Sequence, residues 1–473
     1  MIPGGSQYNP CVLRRILIYL LLACAATTAA QADSSTVFVL PFENLSNDRT
    51  LDWIGEGISE LIISRLQTEP GVYIFSREER LTTLEKLGIP ETAQVTRATA
   101  LKVAWEYGAD NIIMGTFSGT PEDFHVLAHL VDVEAGAGIE VKADGKLQDV
   151  IPLTMTLSWQ LLRKIVPGTA SPESDYTARP PTPRSAFENY IRALLSQDLQ
   201  KRIDLLQTAV RLYPQYSEAL FQLGRAFHLQ RDFAISNQWL QKLPESTPER
   251  RQVLFMTGLN CFYLGDYERA IATFQQLPQM YDVLLNLGAA LSRKGDQAAS
   301  MSLWKRAVNM DPLASDTFFN MGYSSYVKGD LETAEKNLME SLRLSGRDSE
   351  ALFLLGRTYE KQGRLEESRK LMAQATRLSQ RVERWLTQPI PKLERFVTVT
   401  TFRTHDDVWN EQRLARRARS QDLVPWLDIV QSDIDAYLFG EALRELGDVM
   451  KVFPDSSEAR SLLNEVDRQR NLR

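Results

Sequence analysis

The chain has 473 residues, a formal net charge of −6, 44% hydrophobic residues and 24% charged residues. That length corresponds to about three domains. A mildly acidic chain of ordinary composition offers no global argument for nucleic acid or an anionic membrane, and its three cysteines cannot build a disulfide framework.

Residues 1–32 read as an export signal. Arg14 and Arg15 precede the apolar run Ile16 to Ala26, and Ala30-Gln31-Ala32 places small residues where a signal peptidase reads. The apolar core is shorter than the roughly 20 residues a spanning helix needs. Cleavage there starts the mature chain at Asp33 and leaves it in the periplasm. Leu21-Leu22-Ala23-Cys24 resembles a bacterial lipobox, so lipidation at Cys24 with a membrane tether is the alternative. The arginine pair is weakly like a twin-arginine signal. Cys261 stays in the mature chain in every case; alone, it forms no internal disulfide or thiolate zinc site and reads as a small apolar residue inside a helix pair.

Residues 33–167 alternate strands and helices, which predicts one mixed sheet covered by helices. TVFVLPF is a buried-type strand, Trp53 to Gln67 an amphipathic helix and VYIFS a second strand. Helices follow at about Glu78 to Leu87 and Thr96 to Tyr107. NIIMGTFSG, DFHVLAHLVDVEAG and GIEVKADGKL make three more strands, with a turn at Thr120 to Asp123, and a last helix runs from about Pro152 to Ile165. VLPFENLSNDRTLDWIGEGISELIISRL, with GVYIFSRE and YGADNIIMGTFSG after it, resembles the TolB-like amino-terminal domains of bacterial envelope proteins. The resemblance implies a small α/β fold and a role in protein association.

The glycines of this stretch do not make a nucleotide site. In a dinucleotide fingerprint they sit at the strand-to-helix turn, where backbone N–H groups reach the pyrophosphate. Gly55 and Gly57 come a dozen residues after the strand, the third place is Glu60, and Glu56 puts negative charge where phosphate would lie. They are expected to allow close helix packing. Other candidate chemistry is equally thin. His125 and His129 share one strand face without a recognisable third ligand, and read as surface histidines. Ser118 is one residue out of register for a nucleophile elbow between Gly115 and Gly119. His405-Asp406-Asp407 reads as an acidic helix start. No cofactor or metal is expected.

Residues 168–184 form a Pro-rich polar linker. Beyond it, the chain repeats. Gly224, Gly258, Gly288, Gly322 and Gly356 are spaced 34, 30, 34 and 34 residues apart, and Gly265, Gly295, Gly329 and Gly363 lie seven residues after four of them. Around them run ALFQLGRAF, VLFMTGLNCF, VLLNLGAAL, TFFNMGYSSY and ALFLLGRTY, then YLGDYERAIATF, RKGDQAASMSLW, VKGDLETAEKNL and KQGRLEESRKLM. These units over 185–388 resemble the tetratricopeptide repeat, a helix pair that buries its apolar face only by stacking on its neighbours into an all-α superhelix. Ala186 to Pro214 is a degenerate copy with Tyr190 in the glycine place.

The resemblance implies a concave groove lined by helix A residues, and an extended peptide or protein as partner. Carried onto this chain, the groove places are Phe221, Phe255, Phe319 and Phe353; Arg225, Leu259, Tyr323 and Arg357; and Phe262 and Tyr326. Several of these aromatics could equally pack between units. Residues 389–473 read as an insertion and a degenerate C-terminal repeat or cap. Pro389 and Pro391 break the preceding helix, RFVTVTTFR alternates as a strand would, Thr404 to Arg419 restarts a helix, and Trp426 to Pro454, with Ala442, looks like another repeat. Arg413, Arg416, Arg417 and Arg419 form a basic patch, a solvated face or a docking surface for an acidic partner.

The expected function is therefore a non-enzymatic, exported scaffold in the bacterial envelope. It would bind no nucleic acid, and reach a membrane only through lipidation or a partner. The alternatives are an enzyme with an unrecognised site in the front domain and a regulatory module of a signalling system. Against the first, no nucleophile with a base, no metal set and no phosphate loop is recognisable.

Overall fold

The computed structural model describes residues 35–168, 172–174, 182–398 and 423–471, apart from 47, 70, 87, 91–94 and 107. The export signal, Cys24, the helix expected from Thr404 and the Arg413 to Arg419 patch lie outside them. Among the described residues no helix is long and apolar enough to cross a membrane. The chain divides into two compact units, 1–181 and 182–473.

The first unit is a mixed sheet with helices. Its strands are β1 (Ser35–Val39), β2 (Glu43–Asn44), β3 (Val72–Ile74), β4 (Asn111–Gly119), β5 (Phe124–Asp132) and β6 (Gly138–Gly145); its long helices are α1 (Trp53–Leu66), α2 (Arg77–Lys86), α3 (Arg97–Glu106) and α4 (Val150–Ile165). The order is β3-β1-β4-β5-β6, with the two-residue β2 beside β4. β1 runs parallel to β3 and β4, while β4, β5 and β6 are antiparallel neighbours. The difference is written in the residues. Val37, Phe38 and Val39 of β1 are all buried, as a continuous apolar run requires when both faces are covered. β5 alternates buried and half-buried positions along most of its length and keeps one face nearer water.

Two glycines let Phe42 enter this core. A Cβ on Gly55 would strike the Phe42 carbonyl, and one on Gly115 would strike its ring. The Phe42 N–H donates to Gly55 O at 3.1 Å, which ties the β1 exit to the start of α1. The glycine-rich stretch is thus a structural hand-over.

α1 is buried nearly all round, including polar Glu56. A buried carboxylate needs ionic partners. Glu56 Oε1 accepts from Arg77 Nε at 2.9 Å and from Arg80 Nη2, and Arg80 Nη1 donates to Val39 O at 3.1 Å. One turn on, Glu60 is half-buried, with its Oε1 enclosed. Burial, reinforced by the Glu56 charge, pushes its carboxyl up to about 8. Such a group binds its proton more tightly in the folded state. Its contribution to stability is complete below the ordinary value of 4.5 and is lost as pH rises through about 8. Thermal melting should therefore show wild type losing stability relative to Glu60→Gln as pH rises from about 5 to about 8.5; parallel curves would show that Glu60 does not titrate in that window.

The second unit opens with six helix pairs. They are α5 (Arg184–Leu195) with α6 (Leu199–Leu212), α7 (Ser217–Leu229) with α8 (Phe233–Leu240), α9 (Arg250–Tyr263) with α10 (Tyr267–Phe274), α11 (Tyr281–Lys294) with α12 (Gln297–Met310), α13 (Ser315–Lys328) with α14 (Leu331–Leu344), and α15 (Ser349–Lys361) with α16 (Leu365–Leu378). A Cβ on Gly224, Gly258, Gly288, Gly322 or Gly356 would come under 3 Å from Leu240, Phe274, Trp304, Leu338 or Met372. The partner is 16 residues on in every case, so five pairs share one close helix contact. In the degenerate first pair, Tyr190 is buried with its ring 5.0 Å from Tyr216.

Gly265, Gly295, Gly329 and Gly363 turn between helices with φ from +79° to +102°. Arg231 takes the same left-handed place at +68° without being glycine. Asp266, Asp296 and Asp330 then cap the next helix through the N–H three residues on. The one 30-residue spacing arises because α10 has 8 residues, against 14 in α12 and α14, and the somewhat longer loop after it makes up only part of the difference.

The C-terminal helices are α18 (Val424–Asp435), α19 (Phe439–Val452) and α20 (Ser457–Asn471); α17 (Gln380–Glu383) is a single turn after α16. They share a core of Trp426, Val430, Phe439, Ala442 and Leu446. α18 and α19 form a helix pair that turns at Tyr437 with φ of +62°. Gly440 lies against the Leu313 carbonyl, Arg444 pairs with Asp311 at 2.8 Å, and Gly346 N–H donates to Tyr437 O at 3.2 Å. The module is thus anchored on the loops after α12 and α14. Upstream, the helical path after α16 ends at Leu386, ahead of Pro389 and Pro391.

Gly288→Ala should lower stability by about 1–3 kcal/mol, because a methyl there displaces Trp304, whose Nε1 donates to Leu285 O at 3.2 Å. A denaturant titration with an unchanged midpoint would mean that the helix contact is looser than described.

Candidate peptide-binding hollow

The helices α9, α11, α13 and α15 are the first members of consecutive pairs, and one segment of the chain touches all four. After Leu386 the chain turns at 387 and 388, then runs through Pro389 and Pro391 without further turn or bend to residue 398. RFVTVTTFR was expected as a strand. Its described part, 395–398, pairs with no strand; the rest lies outside the described residues. The alternation reports a chain with two different sides, and a groove satisfies that as well as a sheet does.

Two buried asparagines take the place of a neighbouring strand. Asn320 Nδ2 donates to Arg395 O at 2.8 Å, and Asn320 Oδ1 accepts from Arg395 N–H at 2.6 Å. Asn286 does the same with Val397, at 2.9 Å and 2.7 Å. A carboxamide offers one acceptor and two donor hydrogens, a match for one residue's backbone. Arg395 and Val397 are two apart and so share one side of an extended chain. The asparagines are 34 apart and so occupy one place in consecutive repeats. This contact reads backbone, not side chains.

Side chains add the selectivity. Arg395 meets Asp348 at 2.6 Å, Asp316 at 3.0 Å and Glu350 at 3.3 Å, and its guanidinium lies 3.6 Å from the centre of the Phe319 ring. Burial disfavours its charge, but the Asp348 carboxylate, with Asp316 and Glu350, outweighs burial and holds its pKa above the usual arginine value. Glu394, itself buried, pairs with Arg293 at 2.5 Å and accepts from Ser292 Oγ at 2.9 Å. The Phe396 ring is 4.9 Å from Phe262 and 5.4 Å from Tyr263. Leu393 is buried in a cluster with Phe319, Tyr326 and Phe353, against which Tyr323 packs. Charge-assisted bonds contribute about 1.5–3 kcal/mol each and aromatic pairs about 0.5–1.5 kcal/mol, so Arg395 and Glu394 dominate the selectivity. The segment runs from α15 back towards α9, opposite in direction to the array.

The expected groove residues divide into three groups. Phe319, Tyr323, Tyr326, Phe353 and Phe262 lie in the packing around the segment, with Leu259 buried in the cluster that Phe396 packs on. Phe255 belongs to the same cluster and packs within its own helix pair, with its ring 5.7 Å from Phe274 of α10. Phe221 and Arg225 form a cation–ring pair one repeat upstream, and Arg357 pairs with Glu360 at 2.7 Å. Sequence reasoning did not single out Asn286, Asn320, Arg293, Asp316, Asp348 or Glu350. A signal existed for the asparagines: a poor helix former recurring at one place in adjacent repeats.

Two other candidates resolve simply. His125 Nδ1 is 2.6 Å from Asp144 Oδ1, which with Asp123 raises the imidazole pKa. Among the described residues no group of three or more His, Cys, Asp or Glu side chains could hold a metal. Cys261 is buried beside Asn237 Nδ2, and burial pushes its thiol pKa up.

Hydrogen exchange should find the amides of Arg395 and Val397 protected in the free protein. Asn286→Ala with Asn320→Ala should speed their exchange by about tenfold or more, the scale of one lost buried hydrogen bond. Protection that survives the double substitution would mean that the carboxamides do not hold the segment.

Tetratricopeptide-repeat family models match residues 252–281 and 319–381. Comparison with curated proteins finds no match. Similar solved structures include PilW, a widely conserved type IV pilus biogenesis factor, at 16% identity over 43% of this chain and 98% of that one, TM-score 0.37. PilF of Pseudomonas aeruginosa gives 15% over 43% and 97%, TM-score 0.35, and YrrB, a TPR protein with an unusual peptide-binding site, 14% over 37% and 92%, TM-score 0.30. Likeness at that level assigns no function. Taken with the repeated helix pairs, the family matches establish that this chain carries tetratricopeptide repeats.

Proposed function

We propose that the protein is a non-enzymatic scaffold of the bacterial cell envelope that binds an extended segment of a partner protein in the hollow of its repeats. The observation that carries this reading is the pair of asparagine clamps. They place two buried carboxamides in register to hold any extended backbone, with an acidic pocket, a basic pocket and an aromatic pocket beside them. Aromatic and arginine contacts of this kind are the usual anchors of a protein interface.

The finer parts rest on sequence. Export follows from the apolar run and Ala30-Gln31-Ala32, with lipidation at Cys24 as the other route to the envelope. The front unit, by the residues of β1, α1, β3 and β4, is proposed to be TolB-like and to offer a second contact surface.

A photoreactive residue at Tyr323 or Arg357, compared with one at exposed Lys336 on α14, tests the hollow in living cells. Adducts with one partner protein should form from the first two positions and not from Lys336. Adducts from Lys336 alone would move binding to the outer face. Mass spectrometry of the same material should read an N-terminus at Asp33, or an acylated Cys24. An uncleaved chain would overturn export.

A further inference from the structure

We infer that residues 390–397 are an internal ligand: they fill the hollow of the free protein, and their pattern of leucine, acid, arginine and aromatic specifies the partner segment that replaces them. This rests on the reading of the hollow as a protein-binding surface.

Emptying the hollow is costly. Without the segment, Asp316, Asp348 and Glu350 would face one another with their shared cation gone. Arg293 would lose Glu394, and the two asparagines would lose both partners of each carboxamide. Phe262, Phe319 and Phe353 would lose the cover of Phe396, Arg395 and Leu393. Unpaired buried polar groups are costly, so the favourable route is exchange of one extended segment for another.

The pockets state what the newcomer must carry. The three carboxylates around Arg395 suit a planar guanidinium, which bonds in two directions and stacks on Phe319, better than the point charge of lysine. The Arg293–Ser292 pocket needs an acceptor directly before that arginine, and the Phe262–Tyr263 pair needs a flat ring directly after it. Leu393 asks for an apolar residue one place earlier. A segment reading apolar–Glu–Arg–aromatic meets all four, because alternate residues of an extended chain reach opposite sides.

Tethering sets the threshold. A segment on the same chain competes at an effective concentration on the order of 1 mM. If its own affinity for the hollow is about 10 μM, it weakens the apparent affinity of an external peptide about 100-fold. A partner must therefore bind more tightly than this segment, or bring a second contact.

The test uses the full chain and a labelled synthetic peptide of residues 388–398. Fluorescence anisotropy compares wild type with a released variant, Arg395→Ala with Phe396→Ala; Glu394→Ala with Phe396→Ala serves if the first loses its helical circular dichroism. The released variant should bind the peptide about 100-fold more tightly than wild type. Adding Asn286→Ala and Asn320→Ala should remove that gain, and a peptide with its Glu and Arg exchanged should not bind. Equal affinity of wild type and released variant would overturn internal occupancy. A folded, released variant that ignores the peptide would overturn the pattern; if hollow adducts still form in cells, the scaffold reading stands alone. A dimer in light scattering that the released variant loses would make the resident segment a second copy's and overturn the internal ligand.

Discussion

A backbone laid against helices carries its N–H and C=O groups where water cannot serve them. The array meets this constraint with Asn286 and Asn320, each of which replaces one residue of a missing neighbour strand. Everything else in the hollow depends on that register. Once Arg395 and Val397 are fixed, Glu394 and Phe396 must point the other way, and their partners on α11 and α9 follow. The clamps themselves carry no sequence preference. Selectivity comes from Arg395 among three carboxylates and from Glu394 on Arg293.

The clamps work only because the repeats are alike. Glycine at one place in each first helix lets it approach the second, and the partner residue is 16 positions on in five successive pairs. That sameness places Asn286 and Asn320 at equivalent points of adjacent helices. Phe255 packs on Phe274 within its own pair, while Phe262 and Tyr263 further along α9 receive Phe396.

Much of this architecture is legible in residue spacing. The glycine series marks the helix pairs, and the change from alternating to helical rhythm marks the strands and helices of the front unit, except the two residues of β2. The hollow is less legible, for physical reasons. Places carried over from the repeat family point to the aromatic lining but pass over the asparagines, whose partners lie 111 and 75 residues away. Arg395 draws its carboxylates from two repeats, a long-range meeting that no local pattern records. The alternation in RFVTVTTFR carries information about two-sidedness, and only the fold decides whether a sheet or a groove supplies the sides.

The central claim is that the segment sits in the hollow of its own chain. The most direct measurement is a nuclear Overhauser contact between the Phe396 and Tyr263 rings, in protein deuterated except at Phe and Tyr. The account predicts a contact that disappears on Phe396→Leu and is undiminished when labelled protein is diluted with fully deuterated protein. Absence of the contact in wild type, or its loss on dilution, would contradict it.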